Sequence, residues 1–354
     1  MSQQEVQDRL DGDPDQRKPS DPTGTEYVVE YYELEEEVLR VIGVEGVIVS
    51  HDVQELPSRE DDDDDDRDDG EELEIHHIDV GQADSTLIVT PSNETILIDT
   101  GDRYQDGDEY ADGQVVIDYL EAEGIDKIDR LVATHPDADH IGGHADVIEH
   151  FETERNGVNA AIDPGLDPET STSQNYLEAL DEHNVDRFSV EEGDSLQLQD
   201  ELIETNILNP PSENYDKDRH YNSIAIVVEY NNFRYLSSGD AERAAEKRMV
   251  ENWETQLGAS VYHAGHHGSS TSSTEVFLQA VEPDIAVVSS AKESPFGHPD
   301  DSVLTRLSSY DVETYWTGVH GDITMKINNE GKIDVDVKNE ASTDPLDLIH
   351  KKNE

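Results

Sequence analysis

The chain has 354 residues, 34% of them hydrophobic, with 85 acidic against 24 basic side chains and a formal net charge of −61. That length leaves room for one large domain with an appendage, or for two domains. With no cysteine, a disulfide framework, a thiolate metal site and a cysteine nucleophile are excluded.

Residues 1–24 are polar and rich in Asp, Gln and Pro, and read as a disordered acidic N-terminus. They hold no apolar core of the secretory kind, and no run in the chain approaches the ~20 apolar residues of a membrane span. The expectation is a soluble, cytoplasmic protein. Residues 25–57, including "EYVVEYYELEEEVLRVIGVEGVIVSHDV", are rich in Val and Tyr and read as a small β-unit. Residues 58–72, "SREDDDDDDRDDGEE", are a block of like charge and so an acidic linker at a domain boundary.

Residues 73–340 form the main domain, with a C-terminal tail at 341–354. "LEIHHIDV", "STLIVTP" and "TILIDT" read as consecutive strands, "VVIDYLEAEGI" as a helix stopped by Gly124, and "RLVATH" as a buried strand. Helices are expected near 145–152 and 176–183, and strands at "ELIETNIL", "SIAIVVEY" and "FRYLSSGD". Helices near 242–254, 274–281 and 302–310 alternate with the strand "IAVVSS" before a final set of strands. The order points to an α/β (α+β) fold of two mixed sheets sandwiched by helices.

"THPDADHIGG" follows "RLVA" directly, which puts His135, Asp137, Asp139 and His140 on a strand-end loop. Four nitrogen and oxygen ligands within six residues can converge on one or two divalent ions without closing a long loop. The two glycines after them let the backbone turn into the next helix. "LSSGDAE" sets Asp240 at another strand end, "HAGHHGSS" sets His263, His266 and His267 at a third, and "SPFGHP" sets His298 at a fourth.

Together these pieces resemble the metallo-β-lactamase-fold hydrolases, and within them the hydrolase domain of ComEC-type competence (DNA-internalisation) proteins. The resemblance runs from residue 73 to about 328 through "IDVGQADSTLI", "ILIDTGD", "THPDADHIGG", "YNSIAIVVEY", "YLSSGD", "HHGSS" and "FGHP", in that order. It implies an αββα sandwich with two divalent ions, Mn²⁺ or Zn²⁺, at one edge. His135 and Asp137 would serve one ion and Asp139 and His140 the other, with Asp240 bridging and His266 joining the second. Asp84, Asp99, Asn222 and His267 would support these ligands by hydrogen bonding. The general pattern has His where this chain has Asp137, a change toward harder ions. Ala83 stands where the family usually has Gly. A further His ligand is expected between His140 and Asp240, but His144, His150, His183 and His220 sit in no convincing motif.

Two ions about 3.5–4 Å apart would lower the pKa of a water between them, oriented by Asp137 or Asp139. His298 would donate to a leaving or non-bridging oxygen. The resemblance implies a phosphodiesterase or nuclease, with single-stranded DNA as one candidate substrate. The alternatives are hydrolysis of a small ester, thioester or lactam, and a binding module with a vestigial site. The charge of −61 opposes a polyanionic substrate, because it supplies no basic stripe. The acidic excess resembles that of salt-in halophilic archaea, whose molar salt shortens the Debye length to ~3 Å and screens such repulsion.

Overall fold

The computed structural model describes residues 15–17, 27–34, 37–44, 47–55, 72–103, 112–212 and 218–352. The chain divides into two compact units, Met1–Asp69 and Gly70–Glu354.

In the first unit, β1 (Asp15–Arg17), β2 (Tyr27–Leu34), β3 (Glu37–Val44) and β4 (Val47–Glu55) form an antiparallel sheet in sequence order. Register runs from Tyr27 opposite Val44 to Leu34 opposite Glu37, and a bulge at Ile42/Gly43 shifts the β3–β4 pairing. β-Branched and aromatic residues explain the three longer strands. Asp15–Arg17 belongs to the segment expected to be disordered, yet it pairs with β2 through its backbone, which composition does not report. The rest of that segment, and the acidic linker up to residue 71, lie outside the described residues.

The second unit holds two sheets. The first has the order β10-β9-β8-β7-β6-β5-β17-β18, where β5 is Leu73–His77, β6 Thr86–Val89, β7 Thr95–Ile98, β8 Arg130–Val132, β9 Ala161–Asp163, β10 Arg187–Ser189, β17 Ile323–Ile327 and β18 Ile333–Val337. The second runs β11 to β16 in order: Ile203–Asn209, Ala225–Tyr230, Phe233–Ser237, Val261–His263, Ile285–Val288 and Glu313–Trp316.

Alternation of side chains builds three apolar layers from these strands. Ile96 and Ile98 of β7, with Ile226, Val228, Tyr235, Val261 and Val287, fill the space between the sheets. Leu97, one residue out of phase, faces the other way and packs with Leu120, Val147 and Phe151 of the helices Asp112–Ala122 and His144–Glu154. Val227, Leu236, Tyr262 and Val288 likewise face Met249, Phe277 and Leu304 of the helices Arg243–Leu257, Glu275–Val281 and Asp301–Ser309. The result is the αββα sandwich.

One expectation is corrected. Pro345–Lys352, read as part of a tail, is a helix with Leu348 fully buried, and Lys352 Nζ donates to the Pro299 carbonyl at 2.8 Å. The stretch is polar on average, and its few apolar residues gain meaning only by packing on Asp301–Ser309.

β7 to β10 are parallel, as are β13 to β16. The loops leaving the carboxyl ends of β8, β13, β14 and β15 carry the four His/Asp motifs. Carboxyl ends of parallel strands are where α/β sheets leave a crevice for ligands.

Candidate metal centre

Asp99 ends β7 in a left-handed conformation, φ 57°. Its Oδ1 accepts the Thr134 backbone N–H at 2.8 Å, and its Oδ2 accepts Thr134 Oγ1 at 2.7 Å and His140 Nδ1 at 2.6 Å. One buried carboxylate thus fixes the start of the "THPDADHIGG" loop and the orientation of the His140 ring. Gly142 closes the loop: a Cβ there would stand 2.0 Å from the Arg103 nitrogen. On the other sheet, His266 and His267 are consecutive left-handed residues with φ of 53° and 54°. Such backbone costs on the order of 1–3 kcal/mol per residue and persists where surrounding contacts over-determine it. Its effect is to send the two imidazoles to different places.

His267 turns inward. Its Nδ1 donates to Asp84 Oδ1 at 3.0 Å and to the Ser289 carbonyl at 3.1 Å, leaving Nε2 3.3 Å from Asp139 Oδ2 and 3.9 Å from Asp240 Oδ1. His140 Nε2 faces the same Asp240 oxygen at 3.2 Å. Around Asp240 Oδ2 stand His135 Nε2 at 3.7 Å and His266 Nε2 at 3.5 Å. Asp137 Oδ2 lies 3.6 Å from His135 Nε2 and 3.4 Å from His220 Nε2. Its Oδ1 pairs with the Arg219 guanidinium. Asp240 therefore presents one oxygen to each of two imidazole sets.

Most of these separations are too long for good hydrogen bonds. They match the edges of a coordination shell instead, since two atoms ~2.1 Å from one ion and 90–110° apart stand ~3.0–3.4 Å from each other. Nε2 of His135, His140 and His267 and Oδ1 of Asp240 are buried with no hydrogen-bond partner. Buried polar atoms are ordinarily satisfied, so this set of orphans fits a divalent cation. The donors are imidazole and carboxylate only, which suits Zn²⁺ or Mn²⁺.

The electrostatics agree. Burial works against charge on Asp240, but His140, His267 and His135 hold its carboxyl well below the usual range. Burial likewise opposes the imidazolium of His140, and Asp240 and Asp99 overcome it, pushing His140 well above an ordinary histidine. His267 is raised in the same way, against burial, by Asp84 and Asp240. Protons on these rings balance the charge that cations would otherwise balance.

Of the residues singled out by sequence, His135, Asp137, Asp139, His140 and Asp240 are brought together. His266 and His267 exchange emphasis: His267, expected to support from behind, aims its Nε2 into the most buried half, whereas the His266 side chain is 19% exposed. Asp84 and Asp99 stand behind His267 and His140. Asn222 Nδ2 donates to the Asp218 carbonyl at 2.7 Å, bracing the loop that carries Arg219 and His220, and Ser223 Oγ accepts the Asp240 backbone N–H at 3.1 Å. His298 lies at the rim, its ring 5.9 Å from that of His266, and burial with the neighbouring His267 and His266 pushes it down to about 4.

His220 is the residue that sequence reasoning passed over. Its ring lies 5.4 Å from His135 and 4.8 Å from His266. The available signal was its place two residues before the Asn222–Ser223 pair. The other candidates fall elsewhere: His144 bonds Thr100 Oγ1 at 2.7 Å, and His150 meets Glu121 at 3.0 Å.

Residues 78–292 match the Metallo-beta-lactamase superfamily. The chain belongs to that superfamily. It is 30% identical over 268 residues to "ComE operon protein 3" of Bacillus subtilis (strain 168), covering 73% of this chain and 33% of that protein. It is also 30% identical over 257 residues to "Recombination protein 2" of Haemophilus influenzae, covering 71% of this chain and 28% of that one. This metallo-β-lactamase-fold chain thus spans about a third of the length of these relatives. Among solved structures it is similar to CmlA, a diiron beta-hydroxylase from Streptomyces venezuelae, at 15% identity and a TM-score of 0.46, covering 72% of this chain and 54% of that one. No helix of the described residues is long and apolar enough to cross a membrane.

Proposed function

We propose that the chain is a two-metal phosphodiesterase acting on single-stranded nucleic acid or a smaller phosphodiester. The observation that carries the reading is Asp240, whose two oxygens face two separate histidine sets. One ion would be held by His135, Asp137, His220 and Asp240, with His266 beside them, and the other by Asp139, His140, His267 and Asp240. Divalent ions so held supply Lewis-acid polarisation of a phosphoryl oxygen and a more acidic water.

The chain's own residues do the rest. Asp137 and Asp139 would orient the water, and Asp139, whose side chain is 30% exposed and open to solvent, would take up its one proton. Arg219, 44% exposed and paired with Asp137, supplies a positive fork to a phosphate oxygen. His298, neutral at pH 7, donates one ring N–H to a leaving or non-bridging oxygen. Phe296 is 71% exposed, its ring 5.9 Å from that of His298, and offers a stacking face to a base. Stacking is the attraction that a chain of charge −61 can still use where phosphate attraction is lost in salt.

The relative named for recombination supports a nucleic-acid substrate. The test is hydrolysis of bis-p-nitrophenyl phosphate and of single-stranded DNA in multi-molar KCl with Mn²⁺ or Zn²⁺, beside Asp240→Ala and His135→Ala. Turnover lost by at least a hundredfold in both variants is the expected result. The same metal-dependent loss confined to ester or lactam substrates would replace this reading with the small-substrate one.

A further inference from the structure

Glu242 is the N-cap residue of the helix Arg243–Leu257, yet its side chain makes no capping hydrogen bond. Glu is a poor N-cap by type, and this one is turned elsewhere. Its Oε1 lies 3.5 Å from His220 Nδ1 and 3.4 Å from His266 Nδ1. The two rings stand 4.8 Å apart, and their Nε2 atoms face Asp137 and Asp240. His266 Nδ1 also lies 3.2 Å from Thr271 Oγ1.

Two chemistries fit one carboxylate oxygen between two ring nitrogens. A third cation could sit among them, or the carboxylate could accept an N–H from each ring. The neutral imidazole carries one N–H and one lone pair. If the Nε2 lone pairs of His220 and His266 serve the main centre, both Nδ1 atoms are protonated and cannot hold a cation. We infer that Glu242 is a shared positioning residue, whose Oε1, at the outer limit of hydrogen bonding from both rings, draws the Nδ1–H of His220 and of His266 toward it by charge and so aims both Nε2 atoms at the Asp137–Asp240 half of the centre. This rests on the ligand reading proposed above. It also supplies to that half what Asp84 and Asp99 supply to His267 and His140. Glu242 is two residues from Asp240, so one strand-end turn delivers both the bridging carboxylate and the brace.

The experiment titrates the metal-stripped full chain with Mn²⁺ in molar KCl, and reads the tautomers of His220 and His266 by ¹⁵N NMR of the metal-free chain. Glu242→Ala should weaken one of two ions about 10–100-fold and leave the other unchanged. Glu242→Gln, whose amide oxygen still accepts, should fall between. Read at a pH where both rings are neutral, the Nδ1–H tautomer of His220 and His266 should become mixed in Glu242→Ala, while the ring signals of His140, held by Asp99, stay in place. His220→Ala should lose the same ion, and adding Glu242→Ala to it should weaken binding no further than the small share due to His266. Unchanged affinities and tautomers in Glu242→Ala, beside an ion lost in His220→Ala, would overturn the inference and leave the ligand reading standing. An unaffected His220→Ala would sink the ligand reading itself. Three ions in the native chain, with the third lost in Glu242→Ala, would make Glu242 a ligand and overturn its positioning role.

Discussion

At the scale of single residues, the site turns on which of two adjacent histidines looks inward. The dipeptide His266–His267 is silent on that choice, because it is made by two left-handed φ angles. His267 is held by Asp84 and a backbone carbonyl before it reaches the cluster, whereas His266 sits on the rim. His267→Ala should therefore abolish binding of one ion and cut turnover by at least about a hundredfold, with His266→Ala several-fold milder. Metal titration with steady-state assays of both variants checks this, and the reverse ranking would refute the inward assignment. The Asp-rich loop was legible because its four candidate ligands lie within six residues. His220 was not, since its partners come from distant strands and only folding unites them.

At the scale of elements, long apolar runs with clear alternation were readable and short ones were not. "AID" and "RFS", β9 and β10, have three residues each and no run to recognise. The helix Ser171–His183 begins five residues before its first expected turn, where Thr170 Oγ1 accepts the Ser173 N–H at 3.1 Å. Asp344 before Pro345 is a comparable start signal, and its Oδ1 accepts the Leu346 N–H at 2.9 Å. Glu246 shows a cost inside an element. Fully buried in Arg243–Leu257, it accepts the backbone N–H of Thr274 at 3.0 Å and that of Ser273, joining two helices. Burial pushes its carboxyl up to about 7 from 4.5. The folded state thus binds this proton more tightly than the unfolded chain. Stability from it is fully present below about pH 4.5 and lost as pH rises through 7, by up to about 3 kcal/mol. Denaturant unfolding from pH 4.5 to 8 should show that decline, and Glu246→Gln should remove it while lowering stability at pH 5. Identical pH slopes in the two proteins would contradict the account.

At the scale of the whole molecule, a charge of −61 on 354 residues opposes compaction through self-repulsion, and salt relieves it. The Debye length falls from ~10 Å at 0.1 M to ~3 Å at 1 M. Tm should accordingly climb steadily with KCl across that range in a calorimetric series, and a flat profile would count against a halophilic origin. The sandwich itself was legible because runs of strands give way to helix–strand pairs along the chain, and the family resemblance implies the same layers. What joins the two sheets at the proposed centre is Asp240, on the loop after β13, which faces His135 and His140 on the segment after β8. The most direct test of that claim is to load the metal-stripped chain with Mn²⁺, measure ions per chain by elemental analysis, and record magnetic coupling by electron paramagnetic resonance. The account predicts two coupled ions, falling to one or none without coupling in Asp240→Ala. A native chain that binds a single ion, or an Asp240→Ala variant that keeps a coupled pair, would contradict it.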